Sequence, residues 1–348
     1  MKFGSETRSV LRIGLDPAGT SPAAAPMRPD PAQSAALLSA AVGNRVVGLL
    51  CAAVTSESIV LAEGDDLRLA TVARESAAVA VTLERFLLDT APVLDSIQAP
   101  FRVLKGPALA HTAYPDPSWR AFGDIDLLVE GTRMTEIVGR LEREGFRRVY
   151  EPVGRRYEER VGKSVTLVDP HGWELDLHRT IAHGPWGLLI DVDDLWDAPR
   201  SVVIGGVELP TLSPELHLAH ALVHIGLGSA LPRWSNLRDV AQLCDRADLD
   251  RTIVVDLLDR WQARPPSGVA ANWVTEATGV DLGWLGPAHP LTAREQRWMH
   301  LYRQSPQPFR RLTIEAVRAP ATLRRRVEHL VALRPLLRPQ RRSGQSVL

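Results

Sequence analysis

The sequence predicts an α+β fold, a small unit of short strands and helices with a helical region on either side. Three observations carry this. Apolar residues recur at helical spacing between residues 31 and 98. From Phe101 the pattern changes to short apolar runs bounded by turn residues, and helical spacing returns at Ser213. A period near 3.6 marks a helix, and short β-rich runs between turns mark strands.

Residues 1–30 are rich in Pro, Ala, Gly and Ser, a composition that buries little, so this stretch is expected to be disordered. Asp30-Pro31 forms a good N-cap and first-turn pair. Leu37, Leu38, Ala41, Val42, Val47, Leu49 and Leu50 then follow with helical spacing. A second helix is expected over about 65–88. These make a helical lead-in, 31–98. The core is expected over 99–210. It opens with a short strand at Phe101-Arg102-Val103-Leu104 and a helix over about 107–114. A strand over 124–129 follows. Thr132 caps a helix that ends near Gly145. The strand 164–168 turns at Asp169-Pro170-His171-Gly172 into the strand 173–178. Gly205-Gly206 joins 202–204 to 207–209 as a two-residue hairpin. Ser213 and Pro214 open the first helix of a C-terminal helical domain, 211–320. A basic tail, 321–348, holds Arg324-Arg325-Arg326, Arg334, Arg338, Arg341 and Arg342. It reads either as a phosphate, RNA or acidic-partner contact or, more simply, as a solvated face.

The chain has 348 residues, 45% hydrophobic and 24% charged, with formal net charge zero. Zero net charge argues against a dedicated nucleic-acid binder. Two cysteines, Cys51 and Cys244, form neither a disulfide framework nor a CxxC pair. With no secretory signal and no apolar run of membrane-spanning length, the expected location is cytoplasmic.

The chemistry concentrates in Asp124-Ile125-Asp126-Leu127-Leu128-Val129. On a strand, Asp124 and Asp126 point one way and Ile125 and Leu127 the other. Two like charges on a mostly buried strand call for a cation, and a divalent metal is the usual answer. Metal-assisted transfer at a phosphate uses carboxylates around Mg²⁺ ions, which prefer oxygen ligands and retain waters. Glu174, Asp176 and His178 share one face of the run Trp173-Glu174-Leu175-Asp176-Leu177-His178. Asp176 is the expected third ligand and Glu174 the substitute. His178 is expected to support a ligand rather than to be one. His217, His220 and His224 fall on one helical face. Three imidazoles can hold Zn²⁺, but without an acidic or cysteine ligand in the same turn, packing is the preferred reading.

Leu104-Lys105-Gly106, Arg120-x-x-x-Asp124-Ile125-Asp126-Leu127-Leu128-Val129 and Glu174-Leu175-Asp176-Leu177-His178 together resemble nucleotidyltransferases of the DNA polymerase β superfamily. The similarity is to a poorly characterised bacterial group that also occurs in peptide natural-product clusters, including lasso peptide clusters. It covers about residues 35–260. It implies a mixed β-sheet with helices, Mg²⁺ or Mn²⁺ as cofactor, and a nucleoside triphosphate, ATP among them, as substrate. It further implies Asp124, Asp126 and Asp176 as catalytic metal ligands, Lys105, Gly106 and Arg120 at the phosphates, and His224 in a substrate pocket. The superfamily's usual first motif is Gly-Ser at a helix start, where backbone N–H groups meet phosphate. Here Lys105-Gly106-Pro107 stands in its place. The missing hydroxyl and the missing Pro107 donor leave Lys105 as a point charge for that contact.

The expected reaction moves a nucleoside monophosphate from the triphosphate to an acceptor, releasing pyrophosphate. A small molecule or peptide is the favoured acceptor. Two alternatives stay open. One is a degenerate relative that binds nucleotide or peptide without catalysis. The other is a toxin-type transferase acting on tRNA or protein, which the basic tail motivates.

Overall fold

A computed structural model describes residues 3–15, 26–228, 231–287, 290–304, 307 and 309–319. Its centre is one seven-stranded mixed sheet. The strands are β1 (Phe101–Leu104), β2 (Ile125–Val129), β3 (Arg147–Arg148), β4 (Ser164–Val168), β5 (Glu174–His178), β6 (Arg200–Ile204) and β7 (Val207–Thr211). They lie in the order β3-β4-β5-β2-β1-β7-β6. β2 runs parallel to β5, and β1 parallel to β7; the other neighbours are antiparallel. The lead-in holds α1 (Ser5–Arg12), α2 (Pro31–Gly43), α3 (Val47–Thr55) and α4 (Asp65–Asp95). Between the strands lie α5 (Gly106–Thr112), α6 (Met134–Arg143), α7 (Arg155–Arg160) and α8 (Gly184–Leu189). After β7 come α9 (Pro214–Gly226), α10 (Trp234–Cys244), α11 (Arg251–Arg260), α12 (Arg264–Thr278), α13 (Ala293–Tyr302) and α14 (Phe309–Arg318).

All five residues of β2 are buried, so both of its faces are covered. Ile125, Leu127 and Val129 join one core with Leu83 and Leu87 of α4 and Ile137 and Leu141 of α6. Leu128 and Leu104 join the other core, which Leu218 and Leu222 of α9 and Val274 of α12 help fill. Alternation along the strand therefore puts Asp126 on the α9 side of the sheet.

Local chemistry explains most boundaries. Asp30 caps α2, accepting from Gln33 N at 2.9 Å, with Pro31 in the first turn. Ser213 caps α9, accepting from Leu216 N at 3.3 Å. The hairpins β4–β5 and β6–β7 form where turn residues foretold them, the second through Gly205-Gly206.

Three segments differ from expectation. Within the stretch expected to be disordered, Ser5–Arg12 is a helix. Val10 and Leu11 are fully buried, and Arg238 Nη1 donates to the Leu11 carbonyl at 2.8 Å. A distant partner holds a segment that its own composition does not. The single apolar run after Asp30 is two helices. They break at Asn44 and Arg45, where Arg45 takes φ 58° and Asn44 receives N–H groups from Trp234 and Ser235. α4 runs to Asp95, past the expected end at about 88, with Pro92 inside it. The basic tail lies outside the described residues. No helix among the described residues is long and apolar enough to cross a membrane.

α9 approaches α12 closely at Gly226. A Cβ there would lie 2.0 Å from the Pro266 carbonyl oxygen. Gly226→Ala must push the two helices apart. The expected cost is about 1–3 kcal/mol, seen as a lower midpoint of thermal unfolding by circular dichroism. An unchanged midpoint would contradict this packing.

Candidate active site

Three adjacent strands build the site. β1, β2 and β5 stand side by side with Leu104, Asp126 and Asp176 in register. Two carboxylates thus face the same side from neighbouring parallel strands. Asp126 is only 6% exposed. Lys105 Nζ lies 3.6 Å from Asp126 Oδ1, and His178 Nε2 lies 2.6 Å from the same oxygen. Burial alone would raise the Asp126 carboxyl. The Lys105 charge, the His178 hydrogen bond and the Lys163 charge outweigh it and hold the carboxyl well below its usual range. Asp126 is therefore an anion at neutral pH. Burial and the Lys163 charge lower His178, against the pull of Asp126. A neutral His178 has one ring proton, and its Nε2–H donates to Asp126. Asp176 is half-buried and accepts from Thr166 Oγ1 at 2.5 Å across the β4–β5 hairpin.

Lys105 sits between β1 and α5 with φ 42°, a backbone region that costs a non-glycine residue about 1–3 kcal/mol. The strained turn directs its side chain back onto Asp126. Gly106 begins α5, buried against Phe122, with φ 22°.

The ligand atoms of Asp126, Asp176 and His178 all lie within 4.8 Å of one another. Among the described residues this is the only such group of three. Two carboxylates suit a hard divalent cation. His178 Nε2 is already hydrogen-bonded to Asp126.

Other expected residues fall elsewhere. Asp124 lies one residue before β2, outside the strand that fixes Asp126, and its Oδ1 is 3.4 Å from Arg45 Nη1. It does not join the ligand group. Arg120, expected at the phosphates, has its ion pair with Asp239. It is buried, and its Nε and Nη2 hold the two oxygens of Asp239 at 2.7 and 2.9 Å. Tyr114 Oη donates to the same carboxylate at 2.7 Å. Glu174 is exposed at the start of β5, so Asp176 is the carboxylate beside Asp126. His217, His220 and His224 do not converge as a ligand set. His217 Nε2 meets Thr211 Oγ1 at 3.1 Å. His224 is half-buried, and the Lys105 charge, burial and Lys163 lower it well below the usual imidazole range. It therefore stands neutral beside the two lysines.

Lys163, which sequence reasoning passed over, is the fourth cationic or imidazole group here. It is half-buried just before β4. Burial and Lys105 lower its ammonium to about 8, while Asp126, Asp176 and Asp124 act the other way. Two clefts open beside it. One is lined by Lys163, His183, His224 and Gln307. The other, the wider, is lined by Tyr150, Tyr157, Lys163, Thr166, His183 and Gln307 among others.

A carboxylate pair in the middle of a mixed sheet, with Lys105 on Asp126 and with Thr166, the partner of Asp176, lining a cleft, is a site suited to a divalent cation and a phosphate-bearing substrate. The chain belongs to a family of uncharacterised nucleotidyltransferases, whose profile matches residues 30–277, well over half its length. It is a nucleotidyltransferase. The solution structure of the antibiotic-resistance factor ANT(2'')-Ia is similar at 17% identity and a TM-score of 0.37, covering 53% of this chain and 92% of that one. An antigenic nucleotidyltransferase-like protein from Paracoccidioides brasiliensis is similar at 18% identity and a TM-score of 0.31, covering 56% and 93%. No curated protein matches the chain significantly.

Two predictions come from the buried groups. Asp239→Ala leaves the Arg120 guanidinium buried and unpaired, a loss of about 3–5 kcal/mol. Urea unfolding should show it, and a variant as stable as the parent would refute the pairing. Burial beside Arg246 lowers His217 to about 3, and burial with the Lys163 charge lowers His183 to about 4. Above an unfolded value of about 6.5 both states are neutral. Below it the unfolded chain takes up protons that the folded chain refuses, so stability falls as pH drops from about 6.5 toward 4 and then 3. Urea midpoints at pH 7 and pH 5 should differ in that direction, and the gap should shrink in His217→Gln.

Proposed function

We propose that this nucleotidyltransferase moves a nucleoside monophosphate from a nucleoside triphosphate to an acceptor nucleophile, with release of pyrophosphate and with Mg²⁺ or Mn²⁺ as cofactor. The observation that carries this is the register Asp126↔Asp176 on parallel strands, with Lys105 Nζ 3.6 Å from Asp126. The donor set fits the ion, being two carboxylates with an imidazole orienting one of them. Asp126 and Asp176 would hold it, and the half-exposed Asp124 adds negative charge at the rim. When bound, such an ion neutralises charge on the phosphates and on the attacking and leaving oxygens.

The chain's own groups supply the rest. His178 holds Asp126 in one rotamer through Nε2–H. Asp176, half-buried, would accept the acceptor's proton, with Thr166 Oγ1 donating to its Oδ1. Lys105, anchored by a strained turn, presents an ammonium to phosphate oxygens where a Gly-Ser would otherwise present a hydroxyl. Neutral His224 lines the adjoining cleft without adding charge. The wide cleft beside Thr166 leaves room for a small-molecule or peptide acceptor.

Incubation with each of the four labelled nucleoside triphosphates, Mg²⁺ and candidate acceptors should yield pyrophosphate. Asp126→Asn and Asp176→Asn should each cut the rate about 100-fold or more, the scale on which one preorganised electrostatic contact acts. Pyrophosphate release that persists in both variants would overturn the assignment. Metal-independent nucleotide binding with no turnover would favour a relative that binds without catalysis.

A further inference from the structure

The chain uses arginine for almost every positive charge. It has 41 lysines and arginines, of which Lys2, Lys105 and Lys163 are the only lysines. Two of these three border the carboxylate site, although 58 residues separate them in sequence: Lys105 pairs with Asp126, and Lys163 directly precedes Ser164, which pairs with His178. Lys105 has Asp126 at 3.6 Å. Lys163 has no ion pair within 4 Å and no hydrogen bond from its ammonium among the described residues, yet it is half-buried. Its backbone is fixed, since Arg179 N donates to its carbonyl at 2.8 Å and β4 begins at the next residue. Two ammonium groups that feel one another repel, and here the carboxylates of Asp126 and Asp176 offset that repulsion. A divalent cation held by those carboxylates would take up their charge and leave the two lysines in want of another anion. Lys163 also lines both clefts, together with His183 and Gln307.

We infer that Lys163 is a second phosphate anchor, gripping the triphosphate at the seam of the two clefts opposite Lys105. The nucleoside then extends into one cleft, and the other is left to the acceptor. A compact ammonium suits this better than a planar guanidinium, because it meets a phosphate oxygen as a point charge from any direction. This rests on the nucleotidyl-transfer reading above and extends it to a residue and to the placement of the substrate.

The test measures binding, not turnover. Calorimetric titration of the full chain with Mg²⁺ and each nucleoside triphosphate, with inorganic tripolyphosphate, and with the free nucleosides gives the parent affinities. Lys163→Met should weaken triphosphate and tripolyphosphate binding about tenfold or more and leave nucleoside binding unchanged. Equal triphosphate affinity in parent and variant would overturn the inference while leaving the transferase reading intact. A parent that binds neither triphosphate nor tripolyphosphate would overturn both. The unaltered protein provides a second readout that does not depend on the variant folding. With three lysines, acetylation by an amine-reactive ester can be read site by site by mass spectrometry. Tripolyphosphate should slow modification of Lys163 and Lys105 but not of Lys2. Slowing at Lys105 alone would overturn the role given to Lys163.

Discussion

A carboxylate buried in the central strand of a sheet is the constraint on which this protein turns. Asp126 has Leu104 on one side and Asp176 on the other, and almost none of it reaches solvent. Left alone, such a group would take up a proton or unfold its strand. It is kept ionised by Lys105, the His178 proton and the Lys163 field. Each of those groups arrives by a different route: a strained turn after β1, the end of β5, and the residue before β4. The sheet order is what brings the three routes to one point. A site held this way is charged before any substrate enters, which is the preorganisation that electrostatic catalysis uses.

A second buried network ties the helical regions to that point. Asp239 on α10 takes Arg120 in a two-point grip and Tyr114 through its hydroxyl. Next to it on α10, Arg238 lies over the Tyr114 ring and reaches the Leu11 carbonyl of α1. The loop from α5 to β2, which ends in Asp124 and leads into Asp126, is thus clamped from the C-terminal helices. Arg120 contributes to the site by fixing the loop that precedes it. Helical segments far apart in sequence act as one support, and α1 belongs to it despite its unpromising composition.

The legible parts were those written in local chemistry. Asp30-Pro31 and Ser213-Pro214 mark helix starts because caps act within three residues, and Gly205-Gly206 marks a hairpin because a two-residue loop needs positive φ at both positions. The acidic strand and Glu174-Leu175-Asp176-Leu177-His178 were legible because alternation puts their polar residues on one face. The Asp239 partner of Arg120 was not legible, because the spacing of Arg120 from Asp124 says nothing of a residue more than a hundred positions away. Lys163 was overlooked because nothing beside it in sequence marks it. Its rarity as a lysine in an arginine-rich chain was the available signal.

By itself the sequence determined the periodicities, the caps and turns, and the two acidic strands that must lie beside each other if their charges are to be shared. These follow from steric and hydrogen-bond rules that act over a few residues. Only the tertiary structure decided which charge each group meets. It sent Arg120 to Asp239 and Asp124 to Arg45, and it set Lys105 and His178 on Asp126 with Lys163 nearby. Charge partners are chosen by distances across the sheet and between packed helices, and spacing along the chain does not encode those distances.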